Sequence, residues 1–278
     1  MKIKKSLHVG EVSTIGPDKQ FNEDYMECSS STIETPDDVH ILIMADGMGG
    51  HTFGDVASFY AVNFMMKWWR GKVRMHETLS AFFKDCQNNV EDAFQKINER
   101  LIKVGKLEES NIGTTMSVLM VVGDQYLICH VGDSRIYRFN DSRGNESKPM
   151  DETIDLNKNK TFVQLTKDDS WATMQVENGL MTMEEAVSHS KAHLLTQCVG
   201  IKGSVAPFTA SGKLTENDHF LLCTDGLYSL FTDGVLEEQW KYKMAHQASL
   251  QDIADHFYAL AKTANHYDDV SILIANFS

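Results

Sequence analysis

Short acidic motifs stand at four distant places in this chain: Asn22-Glu23-Asp24, Asp46-Gly47-Met48-Gly49-Gly50-His51, Thr224-Asp225-Gly226 and Asp268-Asp269. Each lies at the end of an apolar, strand-like run or in a glycine turn beside one. Carboxylates brought together at strand ends form the oxygen-rich site that hard divalent cations require. No histidine accompanies them at metal-ligand spacing, so magnesium, manganese or calcium suit the set better than zinc or copper. Gly47 follows Asp46, and a glycine there lets a backbone carbonyl approach a cation closely. One Asp-Gly alone is a turn former. The reading rests on the combination.

These motifs need a scaffold. Leu7 to Ser13 reads as a strand ending at the turn Gly16-Pro17, and Val39 to Ala45 as a strand buried on both faces, because it is apolar on both parities. Two helices follow, over Asp55 to Arg70 and about Glu77 to Val104, the second with Gly105 as its expected C-cap. Thr114 to Val122, Tyr126 to Val131 and Arg135 to Phe139 read as strands joined by the hairpin signals Gly123-Asp124 and Gly132-Asp133. Asn140 to Lys160 is a polar surface excursion, Lys213 to Thr224 and Val270 to Phe277 are further strands, and Leu250 to Ala264 is a helix. Clustered hairpins with helices grouped in sequence predict antiparallel sheets covered by helices. With no repeat and no linker, residues 1–278 read as one domain.

The bulk properties exclude some partners. Net charge is −13, from 39 acidic against 26 basic residues, which disfavours nucleic acid and anionic membrane. Five cysteines with no Cys-x-x-Cys suggest neither a disulfide framework nor a zinc knuckle. No signal peptide or membrane-length apolar run is visible, so the expected compartment is the cytoplasm.

Several further segments join the acidic motifs in order: Gly113-Thr-Thr115, Val131-Gly-Asp-Ser-Arg135, Leu165-Thr-Lys-Asp-Asp-Ser170 and Leu194-Leu-Thr-Gln-Cys-Val-Gly200. Together the set resembles the PPM-type, metal-dependent protein Ser/Thr phosphatases (protein phosphatase 2C-like) in their compact bacterial form. That resemblance implies an α+β fold: two antiparallel β-sheets packed as a sandwich, flanked by helices on both outer faces, with a flap at about 166–199. It implies two Mn²⁺ or Mg²⁺ ions, with Asp46 bridging them, Asp225 and Asp268 completing one shell, and Glu23 and the Gly47 carbonyl in the other. Asp24 would hold waters, and Asp133 would join Asp225 at a third, weaker site. The implied reaction is hydrolysis of phosphoserine or phosphothreonine in proteins by a metal-activated hydroxide, without a phosphoenzyme. The implied partners are phosphorylated proteins, among them a Ser/Thr kinase and its targets, and the expected state is a monomer. A non-catalytic binding module of the same fold and a small-molecule phosphoesterase are the other readings.

The chain departs from that pattern in places. Lys19 stands where many members carry a phosphate-clamping arginine, and Met48 where animal-type members have a histidine. Asp168-Asp169-Ser170 replaces a common Asp-His-Ser. Thr182-Met-Glu-Glu185 has the form of a capping box. His51 is expected to be structural, His189 and His193 to be solvated surface residues, and Asp269 to be a mere neighbour of Asp268.

Overall fold

The computed structural model describes residues 5–34, 38–49, 53–140, 161–201, 203–265 and 267–278. Strands β1 (Leu7–Thr14), β2 (Asp24–Ser31) and β3 (Val39–Gly49) come first, then helices α1 (Gly54–Val73) and α2 (Leu79–Leu107). Five strands follow: β4 (Ile112–Thr114), β5 (Met116–Val122), β6 (Gln125–Val131), β7 (Arg135–Asn140) and β8 (Phe162–Gln164). Short helices α3 (Trp171–Glu177) and α4 (Met183–Val187) precede β9 (Phe208–Lys213) and β10 (Asp218–Cys223). The chain ends with α5 (Asp225–Tyr228), α6 (Asp233–Ala245), α7 (Leu250–Thr263) and β11 (Val270–Phe277).

Among the described residues the strands form two antiparallel sheets. One has the order β1-β11-β10-β7-β8; the other runs β2-β3-β5-β6-β9, with β4 also paired to β3. Alternation along the central strands explains why they are apolar on both parities. Ile41, Ile43 and Ala45 of β3 and Val118 and Met120 of β5 pack outward against α1 and α2. Leu42, Met44, Leu119 and Val121 point the other way, into the space between the sheets. On the second sheet Ile272 and Ile274 meet α7, and Leu273 and Ala275 face the first sheet. The result is the expected helix–sheet–sheet–helix stacking.

The structure corrects several expectations. Gly132-Asp133 is not a hairpin: β6 and β7 belong to different sheets, so the turn crosses the sandwich. Lys213 to Thr224 is not one strand, because β9 closes one sheet and β10 lies within the other. Gly105 does not cap α2 but is buried inside it, where a Cβ would crowd the Ser110 carbonyl of the following turn. Strand β7 runs on through Asn140, whose amide donates to Asp218 at 2.6 Å. The remainder of the polar excursion, 141–160, lies outside the described residues, as does His51.

Missed elements have weak patterns. Helix α6 buries only Leu236 and Trp240, one i,i+4 pair, and β2 ends in three serines. The capping box does form: Glu185 N–H donates to Thr182 Oγ1, and the Thr182 N–H donates to Glu185 Oε2 at 2.8 Å.

Phe220 tests the inter-sheet core. It is fully buried between the sheets, its ring 5.5 Å from that of Tyr126 and 5.9 Å from that of Phe277. Phe220→Ala is expected to cost about 3–5 kcal/mol in urea unfolding, the usual range for deleting a core phenylalanine. A loss under about 1 kcal/mol would show that the two sheets are not held together there.

Candidate active site

The register of the strands brings the acidic motifs to one end of the sandwich. Asp24 opens β2 and stands directly opposite Asp46 in β3. On the other sheet, β10 and β11 are neighbours, so Asp225 just after β10 lies beside the turn that carries Asp268 and Asp269 into β11. Hydrogen bonds join the halves, among them that from Thr224 Oγ1 to Asp24 Oδ2 at 2.9 Å.

Asp46 is held by its backbone. Its N–H donates to Thr115 Oγ1 at 2.9 Å, and its carbonyl accepts from the Thr115 N–H at 2.8 Å and from Thr114 Oγ1 at 2.9 Å. The backbone from which the carboxylate projects is therefore fixed at both its N–H and its carbonyl. The glycines after Asp46 and Asp225 serve close approach. A Cβ on Gly47 would overlap the Gly54 carbonyl, and one on Gly226 would overlap the Asp269 carbonyl. In the first case Gly47 N–H also donates to the Glu23 carbonyl at 2.9 Å, so the Asn-Glu-Asp and Asp-Gly motifs are tied together.

The electrostatics show how much negative charge is gathered. Burial pushes the Asp46 carboxyl well above its ordinary pKa, and the charges of Asp24, Asp225, Asp133 and Asp268 push it further. Asp24 rises to about 8, through burial first and then the Asp269 and Asp225 charges, against hydrogen bonds from Ser271 and Thr224. Asp133 rises to about 7 through burial and the charges of Asp225 and Asp168, against a hydrogen bond from Tyr228. Asp225 rises to about 6 through burial and Asp268, opposed by Lys19 and His193. Asp46, Asp24, Asp133, Asp225 and Asp268 thus share one field. The exposed His193 is solvated as expected, yet it lies close enough for its charge to reach Asp225.

A divalent cation fits this set. Asp225 Oδ1 is buried and has no hydrogen-bond partner among the described residues, which is costly for a carboxylate unless an ion takes that place. Among the described residues no three acidic, histidine or cysteine side chains close into a tight cage. An open arrangement suits magnesium-like ions, which keep several waters and use one or two carboxylates.

Two groups escaped the sequence reading. Asp269 is buried and acts as a hub: its Oδ1 accepts from the Gly16 N–H at 2.8 Å, and its Oδ2 from the Glu23 N–H at 2.7 Å and from Lys19 Nζ at 3.1 Å. It fixes the loop carrying Lys19 and Glu23 onto the start of β11. The second is a buried polar chain behind Asp46. Thr115 Oγ1 lies 2.7 Å from Ser134 Oγ, and Ser117 Oγ lies 3.0 Å from the Ser134 carbonyl and 2.8 Å from His130 Nδ1. Its signal was present as Ser117 and His130 inside otherwise apolar runs.

The segment after β8 is anchored next to Asp133. Asp169 accepts from the Gly132 N–H at 3.0 Å and from Gln197 at 3.1 Å, and its own N–H donates to the Gly132 carbonyl at 2.7 Å. Arg135 grips Asp168 with Nε and Nη2 and lies 3.8 Å over the Tyr228 ring. Asp168 and Asp169 thus hold that segment in place.

Carboxylates gathered at one end of a helix-flanked β-sandwich, one of them with a buried oxygen that lacks a partner among the described residues, suit a divalent cation. The family model for protein phosphatase 2C matches residues 17–271, and the chain belongs to that family of Ser/Thr protein phosphatases. A serine/threonine phosphatase Stp of Listeria welshimeri is 28% identical over 258 residues, covering 92% of this chain and 90% of that one. The structure of a serine/threonine phosphatase from S. agalactiae superposes with a TM-score of 0.79 at 22% identity, covering 97% of this chain and 99% of the other. The catalytic domain of the phosphatase PstP, solved in complex with two manganese ions, superposes with a TM-score of 0.71 at 23% identity over 98% of each chain. No described helix is long and apolar enough to cross a membrane.

His130 offers a test of the network behind Asp46. Burial lowers its pKa below the ordinary 6.5, against the pull of Asp169 and Asp168, so it is neutral in the folded protein. A depressed histidine contributes stability above the unfolded pKa and loses it as pH falls from about 6.5. His130→Gln should therefore cost about 1–3 kcal/mol at neutral pH, as lost buried hydrogen bonds do. Its deficit against the wild type should shrink in urea unfolding below that pH. A deficit that grew on acidification would mean the imidazole is charged in the fold.

Proposed function

We propose that the carboxylate cluster holds two Mn²⁺ or Mg²⁺ ions and hydrolyses phosphoserine and phosphothreonine in proteins. The observation that carries this is Asp225 Oδ1, buried and without a hydrogen-bond partner among the described residues, in a cluster where burial and neighbouring charges push the Asp24, Asp46 and Asp133 carboxyls upward. Asp46 would lie between the ions, Asp225 and Asp268 would complete one shell, and Glu23 with the Gly47 carbonyl would serve the other. Asp133, hydrogen-bonded by Tyr228, would join Asp225 at a third, weaker position. Bound there, the ions would supply a water nucleophile ionised near neutral pH and charge stabilisation at the phosphoryl oxygens.

The chain's own groups do the positioning. Thr114 and Thr115 fix Asp46 through its backbone, so its carboxylate geometry is set before any ligand arrives. Asp24, held by the Thr224 hydroxyl, would orient waters at the cluster's buried side. Lys19, held in this structure on the Glu23, Asp268 and Asp269 carboxylates, would meet the phosphoryl group once released from them. Gly54 leaves room for the Glu23 carboxylate, since a Cβ there would overlap Glu23 Oε1. Three buried cysteines are held as neutral thiols: burial raises Cys86 to about 12 and pushes Cys129 and Cys223 upward. Thiolate attack is thereby disfavoured.

The substrates fitting this reading are phosphorylated proteins, among them a Ser/Thr kinase and its targets, met by a monomer in the cytoplasm. The scope of one domain over residues 1–278, with a flap at about 166–199, belongs to the same reading.

The test is turnover of an aryl phosphate and a phosphothreonine peptide with Mn²⁺, Mg²⁺ or EDTA. Chelation should abolish activity. Asp225→Asn should cost more than the ~10–100-fold typical of losing an outer partner of a metal site. Activity that survives EDTA would refute the metal assignment. Lys19→Arg, which adds a bidentate fork, should lower KM for the peptide, and an unchanged or raised KM would remove Lys19 from phosphate contact.

A further inference from the structure

The place of Lys19 is not that of a side chain waiting for phosphate. Its ammonium turns inward, 3.2 Å from Glu23 Oε2, 3.1 Å from Asp269 Oδ2 and paired with Asp268 Oδ1. Burial opposes its charge, but the Asp268 and Asp269 carboxylates more than offset that and hold its pKa above the ordinary value. Glu23 and Asp268 are assigned above to different ions, and Lys19 bridges them.

An ammonium and a divalent ion make conflicting demands on these carboxylates. The ammonium is a compact charge held through hydrogen bonds at about 2.7–2.9 Å. A magnesium-like ion needs the oxygens at ~2.0–2.1 Å in near-octahedral array, and repels a cation standing among its ligands. The side chains are arranged around the lysine. Asp268 is drawn to Lys19 with its side chain 47% exposed, while the buried Asp225 Oδ1 stays without a partner among the described residues.

We infer that Lys19 is a built-in competitor for the metal ions. Its ammonium offsets part of the charge of Glu23, Asp268 and Asp269 and must leave Glu23 and Asp268 for the ions to load. Loading then frees it to face the phosphoryl group. The site's affinity for divalent ions is thereby set lower than the carboxylates alone would give, and metal loading and phosphate recognition become one coupled event. This rests on the metal reading above. It differs from the simpler view in which Lys19 only staples its loop to β11. An organiser's removal weakens metal binding, whereas a competitor's removal strengthens it.

The experiment is calorimetric titration of the metal-stripped full chain with Mn²⁺, beside thermal melting with and without the ion. Lys19→Met should bind Mn²⁺ about ten-fold tighter than the wild type, ~1.4 kcal/mol. Its metal-free melting temperature should be lower than the wild type's. Lys19→Arg keeps the charge and should stay within about two-fold of the wild-type affinity. Lys19→Gln serves as a second neutral variant should the methionine protein not fold. Equal or weaker Mn²⁺ binding by the neutral variants would overturn the inference while leaving the metal centre standing. A wild type that binds no Mn²⁺ and shows no Mn²⁺-dependent melting shift would instead bring down the metal reading, and this inference with it.

Discussion

Mutual repulsion among crowded carboxylates is the constraint on which this structure turns. Asp24 and Asp46 face each other across adjacent strands, the placement in which like charges destabilise a sheet. Two such charges ~5 Å apart cost about 3 kcal/mol at an effective dielectric near 20. Asp133, Asp225 and Asp268 add to the same field. A fold bears this only if other interactions over-determine the geometry. Here the two central sheets, apolar on both faces, and the helices outside them supply that surplus. The strain is confined to one end of the sandwich, where strands stop and backbone groups can be redirected toward the cluster.

The way those groups are redirected explains the motif residues better than metal ligation alone. Gly47 and Gly226 are glycines because backbone from Gly54 and Asp269 passes where a Cβ would be. Thr115 interrupts the run between β4 and β5 so that its hydroxyl and N–H can both reach Asp46. Thr224 accepts from the Ser271 N–H and donates to Asp24, linking one sheet to the other through a single hydroxyl. Gly47, Gly226 and Thr115 act through backbone, whereas Thr224 holds the Asp24 carboxylate itself.

Much of this was legible in the sequence. The central strands declared themselves because burial on both faces leaves no polar parity, and α2 and α7 because their apolar stripes recur at helical spacing. The candidate ligands were legible because Asp-Gly at a strand end is rare in combination. What the sequence could not give was partnership across the fold. Gly132-Asp133 has the chemistry of a hairpin turn, and only the packing of Ile136 between the sheets makes it a crossing. Asp269 looked redundant beside Asp268, since its three donors come from residues 16–23, some 250 positions away. Likewise Asp168 and Asp169 have no visible purpose until Arg135 and Gly132 are placed beside them.

Those two aspartates also connect the segment after β8 to the chemistry. Asp169 binds the backbone at Gly132, the residue before Asp133, and Thr196 N–H donates to the Asp169 carbonyl at 2.7 Å. Asp168 holds Arg135, whose guanidinium covers Tyr228, and Tyr228 in turn hydrogen-bonds Asp133. The segment carrying Asp168 and Asp169 is therefore tied to Asp133 by two routes, one through backbone and one through stacked side chains. Asp133 shares its field with Asp225, so that segment and the carboxylate cluster cannot relax independently. Lys19 couples the opposite edge, binding Glu23 and Asp268 at once. The cluster is thus gripped from two sides by cations that are part of the chain: Arg135 through a rigid fork that stays, and Lys19 through a flexible stem that can leave.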